Sequence, residues 1–173
     1  MTPTLQAVAD FIREHHALAG PLVFFLAFGE SLAFVSLILP FWAILVGLGT
    51  MLGVLGLDFA TIWIAASLGA ACGDWLSYWL GARYGYGIRK IWPLTKYPKI
   101  LPIGRLVFRR YGWVAIVIGR FSGPLRASVP LIAGICRMPQ WLFQLANFGS
   151  AFLWAFVLLA PGSLIGRWLG WAG

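Results

Sequence analysis

The stretch IGRFSGPLRASVPLIAG, residues 118–134, sets two arginines, Arg120 and Arg126, among prolines and glycines inside an apolar run. A charge at the centre of a membrane helix costs at least ~2.5–3.5 kcal/mol on insertion scales. Each arginine therefore needs a partner, water or a bound anion. Ser122-Gly123-Pro124 interrupts the run near its middle. Proline removes a backbone donor and obstructs a continuing helix. The stretch predicts two half-length helices meeting at a break, in place of one smooth span.

Outward from this segment the chain stays apolar. Of its 173 residues 61% are hydrophobic and 10% charged, with a mean hydropathy of +0.86. Long apolar stretches cover 17–57, 59–82, 113–136 and 139–166. A helix needs roughly 20 mainly apolar residues to cross a bilayer, and several of these runs qualify. The alternating strands of about 10 residues that build a membrane β-barrel are not seen. The composition predicts an all-α polytopic membrane protein. No secretory signal peptide is visible at the N-terminus. Residues 1–18 read as an amphipathic helix, with Leu5, Val8, Phe11 and Ile12 on one face, suited to the membrane interface, or else as a partly frayed leader to the first hydrophobic segment. Cys72 and Cys136 stand apart inside apolar segments and read as small buried hydrophobes. No metal motif and no cofactor signature is present.

The net charge of +8 is unevenly placed: Arg83, Arg89, Lys90, Lys96, Lys99, Arg105, Arg109 and Arg110 crowd one connecting segment without an acid. The positive-inside rule puts this loop, 84–112, in the cytoplasm. Attraction to anionic lipid explains it without a nucleic-acid partner.

The loop divides two similar halves. Residues 19–40 lie over 109–130 with an offset of 90, so that Gly29-Glu30 matches Gly119-Arg120 and Pro40 matches Pro130. After each comes an apolar segment with a small-residue patch, Ala66-x-x-Gly69 in one and Ala146-x-x-Gly149 in the other, a spacing that favours close helix approach. The expected organisation is a single membrane domain of two inverted-topology repeats, each a re-entrant helical hairpin plus a transmembrane helix. The first hairpin region is 20–56 and its helix 58–83; the second hairpin is 113–136 and its helix 139–166. Irregular backbone at membrane depth is tolerated where it is buried in protein or faces a wet cavity. In inverted-repeat transporters, binding sites lie where such broken helices meet. A plain bundle of four or five spans is the simpler alternative.

The chain has five acids, Asp10, Glu14, Glu30, Asp58 and Asp74. Asp58 opens an apolar run and reads as a helix N-cap. Glu30 and Asp74 are embedded in apolar sequence, as are Arg120 and Arg126. Pairing of Glu30 with Arg120 is the least costly arrangement, with Asp74 bonded to Tyr78 or paired with Arg126. Such pairs could merely pin the hairpins together. They could equally form a site, because an arginine fork binds phosphate bidentately and helix ends at the break offer backbone donors. Gly123 and Pro124 at the break join Arg120, Arg126 and Glu30 as candidate substrate-binding residues; Glu30 and Asp74 are the candidate ion-pair or proton-coupling acids. Burial favours a neutral acid and a nearby cation favours a charged one, so Glu30 is a candidate proton switch.

Several of these segments together, FGE before a proline, GDWLSYWLGARYG after a long helix, and GRFSGPLRASVPLIAG followed by MPQWLFQLANFGSAFLW, resemble the DedA family of membrane proteins, the VTT-domain or SNARE-associated Golgi protein group. The resemblance covers about 28–166. It implies paired re-entrant helices packed with membrane-spanning helices in a bacterial inner membrane. The implied activity is movement of lipids such as undecaprenyl phosphate or phospholipids between leaflets, in some members with protons. It also implies functional weight for Glu30, Arg120 and Arg126. The second acid that many members carry after the first-hairpin proline is missing, since Phe41-Trp42-Ala43 follows Pro40. The sequence also ends at Gly173 without a further C-terminal span.

The expected partners are lipids with anionic or phosphate head groups, and protons; a homodimer is left open. A membrane enzyme acting on lipid phosphates is the rival reading. It would need a base or metal, but the two histidines are His15 and His16 near the N-terminus and no base is in sight for Ser122. The chain is therefore expected not to be an enzyme. A structural or assembly factor without transport is the third reading. The tryptophans are expected in interfacial belts, with none in the site.

Overall fold

The computed structural model describes residues 16–32, 58–85, 87, 100–122, 126 and 128–171. Six helices and no strand occur among them. They are α1 (His16–Ser31), α2 (Phe59–Tyr84), α3 (Ile100–Tyr111), α4 (Val114–Phe121), α5 (Ser128–Ile135) and α6 (Gln140–Trp171). The expected amphipathic leader falls mainly on residues 1–15, and most of the first hairpin on 33–57; both lie outside the described residues.

Two helices, α2 and residues Gln140–Leu164 of α6, are long and apolar enough to cross a membrane. Their boundaries lie close to those expected, although α6 runs five residues further, to Trp171. Asp58 caps α2 as predicted: its carboxylate accepts from the Thr61 amide at 2.9 Å and from the Thr61 hydroxyl at 2.6 Å. These two bonds, the hydroxyl's first, hold the Asp58 carboxyl below the usual carboxylate range.

The apolar run at 113–136 is broken where the sequence suggests. Helices α4 and α5 have eight residues each and are about 12 Å long at 1.5 Å per residue. Neither matches the ~30 Å hydrocarbon core. Gly123 and Pro124 themselves lie outside the described residues.

The basic segment 84–112 holds more structure than a loop. Residues 100–111 form α3, with Arg109 and Arg110 in its last turn. Its apolar residues recur at helical spacing, and Phe108 packs against Leu131, Ile132 and Ile135 of α5. Counting charges across the whole segment hides this periodicity.

Helix α2 is the centre of the assembly, with α1, α5 and α6 against it. The packing depends on residues without side chains. A methyl group on Gly69 would strike the Phe24 carbonyl of α1, and one on Gly134 would strike the Tyr78 carbonyl. Helices in membranes use small residues in this way to bring backbones together. The predicted patch in the first half is thus a contact, whereas Gly149 has nothing within 4 Å among the described residues. Gly149 merely shares the spacing. Around these contacts lies a core of small and aliphatic side chains, with Val23 and Ala27 of α1 against Ala66 and Ala70 of α2 and Ala151 and Leu159 of α6. Large apolar side chains face outward instead, among them Phe25, Trp141 and Leu145.

Candidate functional site

Four ionisable side chains occupy the interior. Glu30 is 5% exposed, Asp74 2%, Arg120 3% and Arg126 8%. Glu30 comes from the last turn of α1, Asp74 from α2, Arg120 from the end of α4 and Arg126 from the break before α5. Each element alone is apolar enough to be buried, and carries its charge inward to where the others converge.

The partners are exchanged relative to the sequence expectation. Arg126 Nη1 donates to Glu30 Oε1 at 2.5 Å, and Arg126 Nη2 donates to the Ser31 hydroxyl at 2.8 Å. Arg120 Nη2 pairs with Asp74 Oδ2 and also donates to Asn147 Oδ1 at 2.5 Å. The matching sequence positions of Glu30 and Arg120 in the two halves therefore do not mean contact. Arg120 sits on α4 facing α2 and α6, while Arg126, beyond the break, reaches the end of α1. Tyr78 does not serve Asp74: its hydroxyl donates to the Met138 carbonyl at 2.5 Å, with its ring stacked on Phe143 at 4.3 Å.

Residues that sequence reasoning missed complete the site. Asn147 is fully buried and donates from Nδ2 to the Ala71 carbonyl at 2.9 Å, which fixes its amide oxygen toward Arg120. A lone amide inside LANFGSAFLW was the available signal. Ser31 directly follows Glu30. Trp154 lies inside, not in a belt, with the Arg126 guanidinium 3.9 Å from its ring centroid; a desolvated cation–π contact of this kind contributes about 2 kcal/mol. Nothing in the sequence separates Trp154 from the nine other tryptophans.

The two pairs balance in charge but not in hydrogen bonds. Arg120 Nε and Nη1, Arg126 Nε, Glu30 Oε2 and Asp74 Oδ1 are buried with no partner among the described residues. Buried polar groups are normally satisfied, and leaving one bare costs about 1–3 kcal/mol, more when charged. Three spare donors on two guanidiniums suit an oxyanion or ordered water. The two spare carboxylate oxygens suit water or a proton.

These features define a class: a helical membrane protein with a buried arginine–carboxylate cluster at broken helices. Comparison with known proteins agrees. The VTT domain family matches residues 39–164. The chain is 34% identical over 163 residues to inner membrane protein YabI of Escherichia coli, covering 94% of this chain and 64% of that protein. It is 30% identical over 159 residues to an uncharacterized membrane protein of Buchnera aphidicola, covering 92% and 62%. It is 26% identical over 180 residues to inner membrane protein YqjA of Escherichia coli, covering 96% and 79%. The chain thus spans less than two thirds of the length of the first two relatives. No solved structure matches. The chain belongs to the VTT-domain family, the DedA group of membrane proteins.

Proposed function

We propose that this protein is a lipid translocase that takes a phosphate-bearing head group, such as that of a polyprenyl phosphate or a phospholipid, onto Arg120 and Arg126. The observation that carries this reading is the set of spare, buried guanidinium donors, Arg120 Nε and Nη1 and Arg126 Nε. Guanidinium–phosphate pairs are short, charge-assisted and commonly bidentate. The substrate anion would draw each arginine away from its carboxylate. A proton on Glu30 or Asp74 would then keep the interior neutral, which couples proton binding to head-group binding. The eight-residue helices on either side of the break support a re-entrant hairpin entering from the side of the basic segment, with that segment cytoplasmic. The chemistry asked of the site is exchange of ion-pair partners, not bond cleavage.

The test is a leaflet-accessibility assay in liposomes with wild-type, Arg120→Ala and Arg126→Ala protein, using polyprenyl phosphate and phosphatidylethanolamine. Wild type moves at least one of them between leaflets with its mass unchanged, and both variants lose this while remaining folded. Unaltered movement in the variants would sink the proposal, and a changed lipid mass would indicate an enzyme. One observation favours the structural-factor reading: each arginine already has one carboxylate, as expected of pairs that only join helices. Full transport inactivity of well-folded wild type would favour it.

A further inference from the structure

A second basic site lies apart from the buried pairs. A cavity of about 620 Å³ opens between α3 and the turn from α5 to α6, and Arg105, Arg109 and Arg137 line it together with apolar Phe108, Met138 and Leu142. That volume is in the usual range for small-molecule sites, roughly 300–1,000 Å³. No acid occurs anywhere in residues 75–173, which hold every lysine and arginine except Arg13. The three acids among the described residues are engaged elsewhere: Glu30 and Asp74 in the buried pairs, Asp58 at the start of α2. Arg109 and Arg137 thus share a concave site with Arg105, whose side chain already has a partner of its own.

Arg137 is the most informative of the three. Its φ is 53°, and among the described residues no other non-glycine has a positive φ. Its amide donates to the Gly134 carbonyl at 2.9 Å, and the next amide, Met138, donates to Ala133 at 3.1 Å. These are the paired bonds of a Schellman turn, whose left-handed position is usually glycine. A Cβ is strained there, and strained backbone persists where the surroundings over-determine it, often at functional sites. A cation does complement the negative end of α5, but a neighbouring position in ordinary backbone would serve that purpose as well.

We infer that α3 and the α5–α6 turn form a second anion site, in which Arg109 and Arg137 hold a phosphate group while Phe108 and Leu142 receive an apolar part of the ligand. The ligand chemistry is a phosphate mono- or diester, carried by a lipid head group or free in solution. The site stands whether or not the Arg120–Arg126 cluster moves lipids, since the two share no residue.

Two probes separate the sources. Inorganic phosphate is titrated by calorimetry into the full chain in detergent, and phosphatidic acid retained from phosphatidylcholine nanodiscs is counted by native mass spectrometry. Arg137→Gly is the decisive variant, because glycine suits the turn. Its melting temperature holds or rises while binding weakens roughly tenfold or more, the scale of one charge-assisted hydrogen bond. Arg109→Ala weakens binding similarly. Arg110→Ala removes the same charge from the same helix outside the cavity and leaves binding intact. Weakening toward phosphatidic acid alone assigns the site to a lipid head group. Weakening that extends to inorganic phosphate assigns it to the free anion as well. Wild-type binding of both probes by Arg137→Gly overturns the inference, as does an equal loss in Arg110→Ala and Arg109→Ala.

Discussion

Removing one member of the Arg126–Glu30 pair strands the other in the protein interior. Both side chains are under a tenth exposed, so solvent screens little of the loss. Breaking such a buried pair costs about 3–5 kcal/mol, and Arg126→Gln also removes the guanidinium above Trp154. At ~2–4 °C per kcal/mol for a chain of this size, either Glu30→Gln or Arg126→Gln lowers the melting temperature by about 6–20 °C. The double variant leaves no uncompensated charge, so its loss falls short of the sum by about 0.5–3 kcal/mol, the range for directly coupled residues. Glu30→Gln combined with Arg120→Gln shows smaller coupling, because Arg120 is engaged by Asp74 and Asn147. Thermal unfolding of detergent-solubilised protein, followed by fluorescence-detected size exclusion, measures these four variants and the Arg120→Gln single that completes the second cycle. Strong coupling of Glu30 with Arg120 and simple additivity with Arg126 would refute the pairing.

Other substitutions test the frame around the site. Gly134→Ala places a methyl on the Tyr78 carbonyl and costs at least the ~1–3 kcal/mol of an overpacked core, whereas Gly149→Ala is tolerated; comparing the two melting temperatures checks this. Tyr78→Phe keeps the stack on Phe143 but leaves the Met138 carbonyl bare, for a loss of about 1–3 kcal/mol by the same assay. Asp58 has a lowered folded pKa, so its contribution is present above its unfolded pKa of about 3.9 and disappears as pH falls through the lower folded value. A melting series in acid should accordingly show a steeper decline for wild type than for Asp58→Asn.

The spans and the break were legible because each rests on local chemistry. Hydropathy marks α2 and α6, Ser122-Gly123-Pro124 marks the interruption, and Asp58 before a helix marks a cap. The four charged residues of the cluster were legible too, since charge in apolar sequence demands company. Who pairs with whom was not legible. That depends on which way α4 faces and how far the break carries Arg126, and both follow from packing around α2. Asn147 and Trp154 were hidden for a similar reason: one amide and one of ten tryptophans gain their roles only when α6 is laid against α4 and the break. Helix α3 was not legible because its basic residues interrupt, along the sequence, the apolar face that packs on α5.

The proposed function requires that guanidinium groups inside the bilayer select a lipid for its phosphate. It is tested most directly by reconstituting the protein with two lipids of one chain, polyprenyl phosphate and the corresponding polyprenol, and timing their passage between leaflets. Wild-type protein is expected to accelerate the phosphate and not the alcohol, and Arg126→Ala to abolish the difference. Equal acceleration of the uncharged alcohol by wild type would contradict it.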